Sequence, residues 1–304
     1  FSSPFRRLQD KAQVFPLPGS VFVHNRLTHS LEVASVGRSL GNNISRKLAE
    51  TGEAEGSFHE ELGSIVASAC LAHDMGNPPF GHSGEKAISH YFSNERGEEL
   101  ISKANLNEAE RSDLVNFDGN ANTFRLLTHS FRGRRKGGFA LTYPTIASVI
   151  KYPRSSVGTK KFGYFQQDKD TFIEIMRRLN IVELSEGVYS RYPLVYLVEA
   201  ADDICYQIMD IEDACRLGIL SYDETVEMLC DFFNEIDDSR LFENRDKVFD
   251  YVTDKHERIA YLRSIVIGRL VCKCSEIFWN NREAILSGTF KGSLISHLPN
   301  QELN

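Results

Sequence analysis

The chain has 304 residues, 41% of them hydrophobic, enough to bury the core of one large domain or two closely joined ones. Its 35 basic and 42 acidic residues leave a formal charge of −7. That makes a generic nucleic-acid-binding surface not the default reading and requires a local basic pocket for any polyanionic substrate.

No uninterrupted apolar run approaches membrane-spanning length, and no signal-peptide pattern opens the chain. The six cysteines form no CxxC pair, and Cys70 and Cys205 lie within apolar runs. A cytoplasmic protein with reduced, mostly structural thiols and no membrane partner is expected. Phe1 rather than Met stands first, and the sequence is expected to be incomplete at both ends.

In chain order, Phe5 to Lys11 is polar and irregular, and Val14 to Gly19 reads as an extended segment and turn. A long amphipathic helix is predicted from Asn25, with Leu27, Leu31, Val36, Leu40, Ile44 and Leu48 on its apolar face. His29 and Glu32 fall off that stripe, and Gly41-Asn42-Asn43 predicts a weakness or kink. The apolar run Ile65 to Cys70 predicts a short helix that ends at His73-Asp74, because Gly76 and Pro78-Pro79 cannot continue it. The helix restarts at Glu85, and the charged stretch Ser93 to Asp113 predicts a solvated excursion.

Further helices are predicted over 121–131 and 142–150, with the basic, glycine-rich break Arg132 to Gly138 between them. From Pro193 to Arg216 an apolar face (Leu197, Ala201, Ile204, Ile208) alternates with an acidic stripe of Glu199, Asp202, Asp203, Tyr206 and Asp210. Like charges stacked at that spacing need a cation or a proton nearby. Ser221 predicts an N-cap, followed by helices over 223–233 and 256–279. Strand alternation is rare, and no GxGxxG or Walker loop occurs. The predicted class is all-α, with a core over 1–216 and a helical extension over 217–304 packed on it.

An adjacent imidazole and carboxylate at a helix end can reach one cation. His29, His73, Asp74 and Asp202 together form a coherent set, suited to one Mn²⁺, Mg²⁺, Fe²⁺, Ni²⁺ or Zn²⁺ ion with open positions. Taken singly, each has an ordinary structural explanation as a surface or capping residue.

The segments Arg26-Leu27-Thr28-His29, Leu71-Ala72-His73-Asp74-Met75-Gly76-Asn77-Pro78-Pro79-Phe80-Gly81-His82-Ser83-Gly84-Glu85 and Glu199-Ala200-Ala201-Asp202-Asp203-Ile204-Cys205-Tyr206 resemble the H…HD…D signature of HD-domain phosphohydrolases. The resemblance is closest to bacterial deoxyguanosine triphosphate triphosphohydrolases and covers the chain to about Ala214. It implies an HD-domain helical bundle with additional C-terminal helices, in which His29, His73, Asp74 and Asp202 bind the metal. The implied reaction is hydrolysis of a dNTP to the deoxynucleoside and inorganic triphosphate.

In the same resemblance His82 and Glu85 match a catalytic His–acid pair, at a spacing that lets the carboxylate orient the imidazole on a helix. Arg26, Lys151 and Tyr152 correspond to phosphate contacts, and Lys160 or Lys161 adds charge. Tyr206 and Asp210 correspond to sugar contacts, Gln13 to a sugar- or base-side residue, and Asn120 to a substrate-side one. His24, His59, His90, His129 and His256 read as structural. Asn77 and Pro78-Pro79 leave no extra ligand of the kind that binuclear HD phosphodiesterases need.

A homo-oligomer, dimer or hexamer, is expected from the resemblance. Arg134-Arg135-Lys136 reads as a solvated loop, with a regulatory nucleotide or single-stranded DNA contact as the sharper alternative. Two rival functions stand beside dNTP hydrolysis: an HD phosphohydrolase acting on other nucleotides, and a low-activity nucleotide- or DNA-binding regulator.

Overall fold

A computed structural model describes residues 2–14, 24–53, 57–131, 133, 138–233 and 239–298. Most of the Val14–Gly19 segment and all of Arg134-Arg135-Lys136 therefore lie outside the described residues. A single helical turn, α1 (Ser3–Arg6), precedes the long α2 (Arg26–Thr51). Asn25 fixes where α2 begins: its side chain accepts from the Leu27 and Thr28 amides, and its own amide donates to Thr28 Oγ1. Three otherwise orphaned donors are satisfied there by local chemistry.

The buried face of α2 runs through Arg26, His29, Val33, Gly37, Leu40 and Ile44. The predicted stripe is corrected at its start, since Leu31 is 52% exposed and His29 is buried. A four-residue step overshoots the 3.6-residue turn by about 40°, which carries Leu31 away from the partly buried Leu27.

Gly41-Asn42-Asn43, the expected place of a weakness or kink, lies within a helix that runs unbroken to Thr51. Gly41 instead faces Gly63 of α3 (Leu62–Ala72), and a Cβ at Gly41 would lie 2.7 Å from the Gly63 Cα. The glycine is there to let two helix backbones approach, at a helix-propensity cost of about 1 kcal/mol. Gly41 meeting Gly63 while His29 meets His73 makes α2 and α3 antiparallel.

After α3 come α4 (Gly81–Phe92), α5 (Glu95–Lys103) and α6 (Glu108–Val115). The last two correct the expected solvated excursion. Asn94 and Asn107 cap them, Ile101 is buried, and the Asp113 carboxylate accepts from Ser156 Oγ and the Gln166 amide. Most charges of this stretch face water while Ile101 and the bonded Asp113 are buried, a pattern that composition averages away.

Next are α7 (Gly119–Thr128), α8 (Tyr143–Ala147) and α9 (Lys169–Arg178), the first two shorter than predicted. A hairpin of β1 (Glu183–Ser185) and β2 (Val188–Tyr189) is the one sheet among the described residues. The chain ends in α10 (Val195–Arg216), α11 (Tyr222–Cys230), α12 (Ser239–Tyr251), α13 (Lys255–Asn280) and α14 (Arg282–Leu286). Ser221 and Glu224 form a capping box at α11.

The fold is all-α. Val33 and Leu40 of α2, Val66 of α3, Ile204 of α10 and Val266 and Leu270 of α13 share one continuous buried core. That core holds the N-terminal end of α2, the C-terminal end of α3 and the middle of α10 together. The histidines and aspartates singled out in the sequence sit at that junction. Among the described residues no helix is long and apolar enough to cross a membrane.

Candidate active site

His29 lies one turn into α2, and its Nε2 is 3.0 Å from Asp202 Oδ1 on α10. His73 caps α3, with Nε2 3.4 Å from the same Asp202 oxygen and 3.5 Å from Asp74 Oδ1. One ligand atom each from His29, His73 and Asp202 lies within 4.8 Å of the other two. Asp74 adjoins this triangle with both oxygens engaged: Arg26 Nη1 donates to Oδ2 and Asn77 Nδ2 to Oδ1, each at 2.5 Å.

The His73 ring is already oriented for a ligand. Its Nδ1 is 2.6 Å from the Cys70 carbonyl, which fixes that nitrogen as the donor and turns Nε2 toward the carboxylates. Nε2 is buried and has no hydrogen-bond partner. Burial opposes charge on this ring, yet the Asp74 and Asp202 carboxylates raise its pKa to about 9. The contacts are too long for good hydrogen bonds, so the carboxylates draw positive charge to a point they do not themselves bond. Asp202 shows the reciprocal effect: burial alone would raise its pKa, but His73 and His29 hold it well below the usual carboxylate range. An orphaned imidazole nitrogen, a second imidazole and converging carboxylates fit a divalent cation.

The loop after His73 is held by side chains from elsewhere. Thr123 Oγ1 donates to the His73 carbonyl and accepts from the Gly76 amide, both at 2.9 Å. Asn122 Nδ2 donates to the Gly76 carbonyl, and Lys11 Nζ to the carbonyls of Met75 and Asn77. Beyond the loop, Phe80 adopts a left-handed conformation (φ 64°). That costs a non-glycine residue on the order of 1–2 kcal/mol and lets the chain reverse into α4.

The first turns of α4 carry His82 and Glu85. His82 Nδ1 is 2.7 Å from Glu85 Oε2, and Glu85 Oε1 accepts from the Gly119 amide at 2.7 Å. A Cβ at Gly119 would lie 2.1 Å from Asn77 Oδ1 and 2.9 Å from Glu85 Oε1, so only glycine admits this approach. Glu85 is buried, whereas the His82 side chain is 82% exposed.

These groups border a cleft of about 520 Å³. His73, Asp74, Asp202, His82 and Glu85 line it, together with the predicted substrate contacts Gln13, Arg26, Asn120, Lys151, Tyr152 and Tyr206. His29 is 2% exposed and lies behind Asp202 rather than on the wall. Asp210, two turns along α10, is not part of the lining. Its pKa is raised to about 6 by burial and by Asp213. Of the lysine pair, Lys161 lines the cleft and Lys160 does not. Lys161 Nζ sits 3.1 Å from Asp118 Oδ2 and 5.9 Å from the centre of the Tyr152 ring. Glu199 also lines the wall, bonded to Lys151. Its place in the acidic stripe was the available signal.

The HD domain model matches residues 26–134, from the first residue of α2 past α7. A deoxyguanosinetriphosphate triphosphohydrolase-like protein of Pseudomonas aeruginosa is 40% identical over 98% of this chain and 67% of its own length. One of Synechocystis sp. is 38% identical over 97% of this chain and 68% of its own. The chain belongs to this family. A deoxyguanosinetriphosphate triphosphohydrolase of Serratia proteamaculans is 32% identical over 97% of this chain and 65% of its own.

The chain belongs to an HD-domain hydrolase family, and His29, His73 and Asp202 form a candidate metal cluster among the described residues. His24, read as structural, is held by the α10 acid Asp213 (Nδ1 to Oδ1, 2.9 Å) and by Glu32 (Nε2 to Oε2, 3.1 Å). Burial disfavours its charge, but these two carboxylates raise its pKa to about 10.

Proposed function

We propose that the chain carries the catalytic unit of a metal-dependent triphosphohydrolase. It would cleave a deoxynucleoside triphosphate, dGTP or a related dNTP, to the deoxynucleoside and inorganic triphosphate. The observation that carries this reading is one cleft bordered by a cation-suited triangle, a His82–Glu85 pair and a wall of Lys151, Tyr152, Lys161 and Arg26. The printed names of the relatives supply the substrate class.

His29, His73, Asp74 and Asp202 would hold the ion, which when bound supplies Lewis-acid polarisation of a phosphate oxygen. Water adds to the α-phosphorus, the bond to the ribose 5′-oxygen breaks, and that oxygen must gain a proton as it leaves. His82 is the group for proton transfer: Glu85 fixes Nδ1, and Nε2 stays free to exchange with the cleft. Lys151 and Lys161 offset phosphate charge, and Tyr206 offers its ring to the sugar.

Purified protein with Mn²⁺ should release intact triphosphate from at least one of the four dNTPs. Orthophosphate or pyrophosphate as the first product, resolved by ion-exchange chromatography, would overturn the reading.

A further inference from the structure

Glu199 precedes Asp202 by one turn of α10, and its side chain is 9% exposed in the cleft wall. Lys151 Nζ is 3.0 Å from its Oε1, and Arg191 Nη1 is 2.7 Å from its Oε2. Lys151 borders the cleft. Arg191 does not; it lines a second, mostly apolar cavity of about 580 Å³ that also includes Trp279 and Leu194. There its guanidinium lies 4.1 Å from the centre of the Tyr196 ring, and Nη2 donates to the Gly292 carbonyl.

A carboxylate in the wall of a polyphosphate site is unfavourable by Coulomb's law, and paired with Lys151 alone it would cancel that lysine's charge. Asp203, four residues along the helix, adds to the same debit. Arg191 offsets it. By occupying the second oxygen of Glu199, it adds one positive charge and brings the group of Glu199, Asp203, Lys151 and Arg191 to formal neutrality. The planar guanidinium is suited to this because it can bond Glu199, stack on Tyr196 and reach Gly292 at once. The loop after α14, which supplies Gly292, thereby acts on the cleft without touching it.

We propose that Arg191, from outside the cleft, is a positioning residue for its phosphate-binding wall: it holds Glu199 neutralised so that Lys151 presents charge to a polyphosphate. The proposal rests on the triphosphohydrolase reading above.

The test is binding of inorganic tripolyphosphate with Mn²⁺, by isothermal titration calorimetry, alongside dNTP hydrolysis by the same preparations. R191Q should raise Kd about tenfold, whereas R191K, which keeps the charge, should stay within about threefold of wild type. Adding E199Q to R191Q removes the carboxylate that needed balancing, and should recover most of the lost affinity. A structural role for Arg191 has the opposite signature, because two broken contacts would leave the double variant as weak as R191Q or weaker. That result, or R191Q binding like wild type, overturns the proposal, and the double variant with R191K decides it even if R191Q fails to fold. A wild-type protein that neither binds tripolyphosphate nor releases it from a dNTP would overturn the functional reading and this proposal with it. Wild-type activity without the R191Q effect overturns only the proposal.

Discussion

Beneath the cleft the His29 side chain is 2% exposed and lies against Asp202, whereas at the rim 82% of the His82 side chain is exposed and one ring nitrogen is tied to Glu85. The same residue type is used in two opposite ways. Buried imidazoles and carboxylates strongly perturb one another, as the raised pKa of His73 and the lowered pKa of Asp202 record. Such a group gains by admitting a cation and is poorly placed to trade protons with substrate. An exposed imidazole with one anchored nitrogen is oriented yet can still exchange a proton. On the proposed function, the contrast would separate an ion-holding floor from a proton-handling rim within a single cleft.

The largest effect should come from the floor. Asp202→Ala removes the oxygen shared by both histidines, and activity should fall by at least about 10³-fold, with Mn²⁺ lost on calorimetric titration. The rim should behave differently. His82→Ala is expected to lower kcat by about 10²–10⁴-fold while Mn²⁺ binds as in wild type. Equal loss of metal in both variants would erase the distinction.

The basic wall should give a smaller change. Lys151→Met should raise KM for the dNTP by about tenfold, with kcat altered less, because charge toward phosphate acts in the ground state and the transition state alike. A fall in kcat with unchanged KM would move Lys151 to the reacting centre.

The smallest effect concerns stability without metal. His73 has a folded pKa of about 9, above the ordinary histidine value, so its stabilisation is complete below about pH 6.5. It is lost as pH rises through about 9. His24, raised to about 10, acts in the same direction. The Tm of metal-free protein should therefore fall by several degrees between pH 6.5 and 9.5, measured by calorimetry. His24→Gln should lower Tm near neutral pH and flatten that fall without abolishing it. Stabilisation by added Mn²⁺ should grow with pH over the same range, since the ion competes with a proton on the floor. A flat Tm profile would show that neither His73 nor His24 carries the expected proton in the metal-free protein.

Much of this arrangement was legible from local signals. Asn25 and Ser221 marked helix starts because capping is decided within four residues. The two-faced pattern of α10 gave both its burial and its acidic stripe, and the need for nearby cations was met by Lys151 and Arg191. Signals that required knowing the neighbour misled. Gly41 looked like a helix weakness until Gly63 was opposite it, and the charged run 93–113 hid the packed edge of α5 and α6.

By itself, the sequence determined an all-α chain, the His73-Asp74 turn bounded by Gly76 and Pro78-Pro79, and the residue types able to hold an ion. These depend on backbone propensity and side-chain chemistry, which are properties of the residues themselves. Only the tertiary structure decided that His29 is buried and Leu31 exposed, that Lys161 rather than Lys160 enters the cleft, and that Arg191 reaches Glu199. Each of those depends on which helix packs against which. Burial and ion pairing act over a few ångströms of space, between residues that the chain can separate by more than a hundred positions.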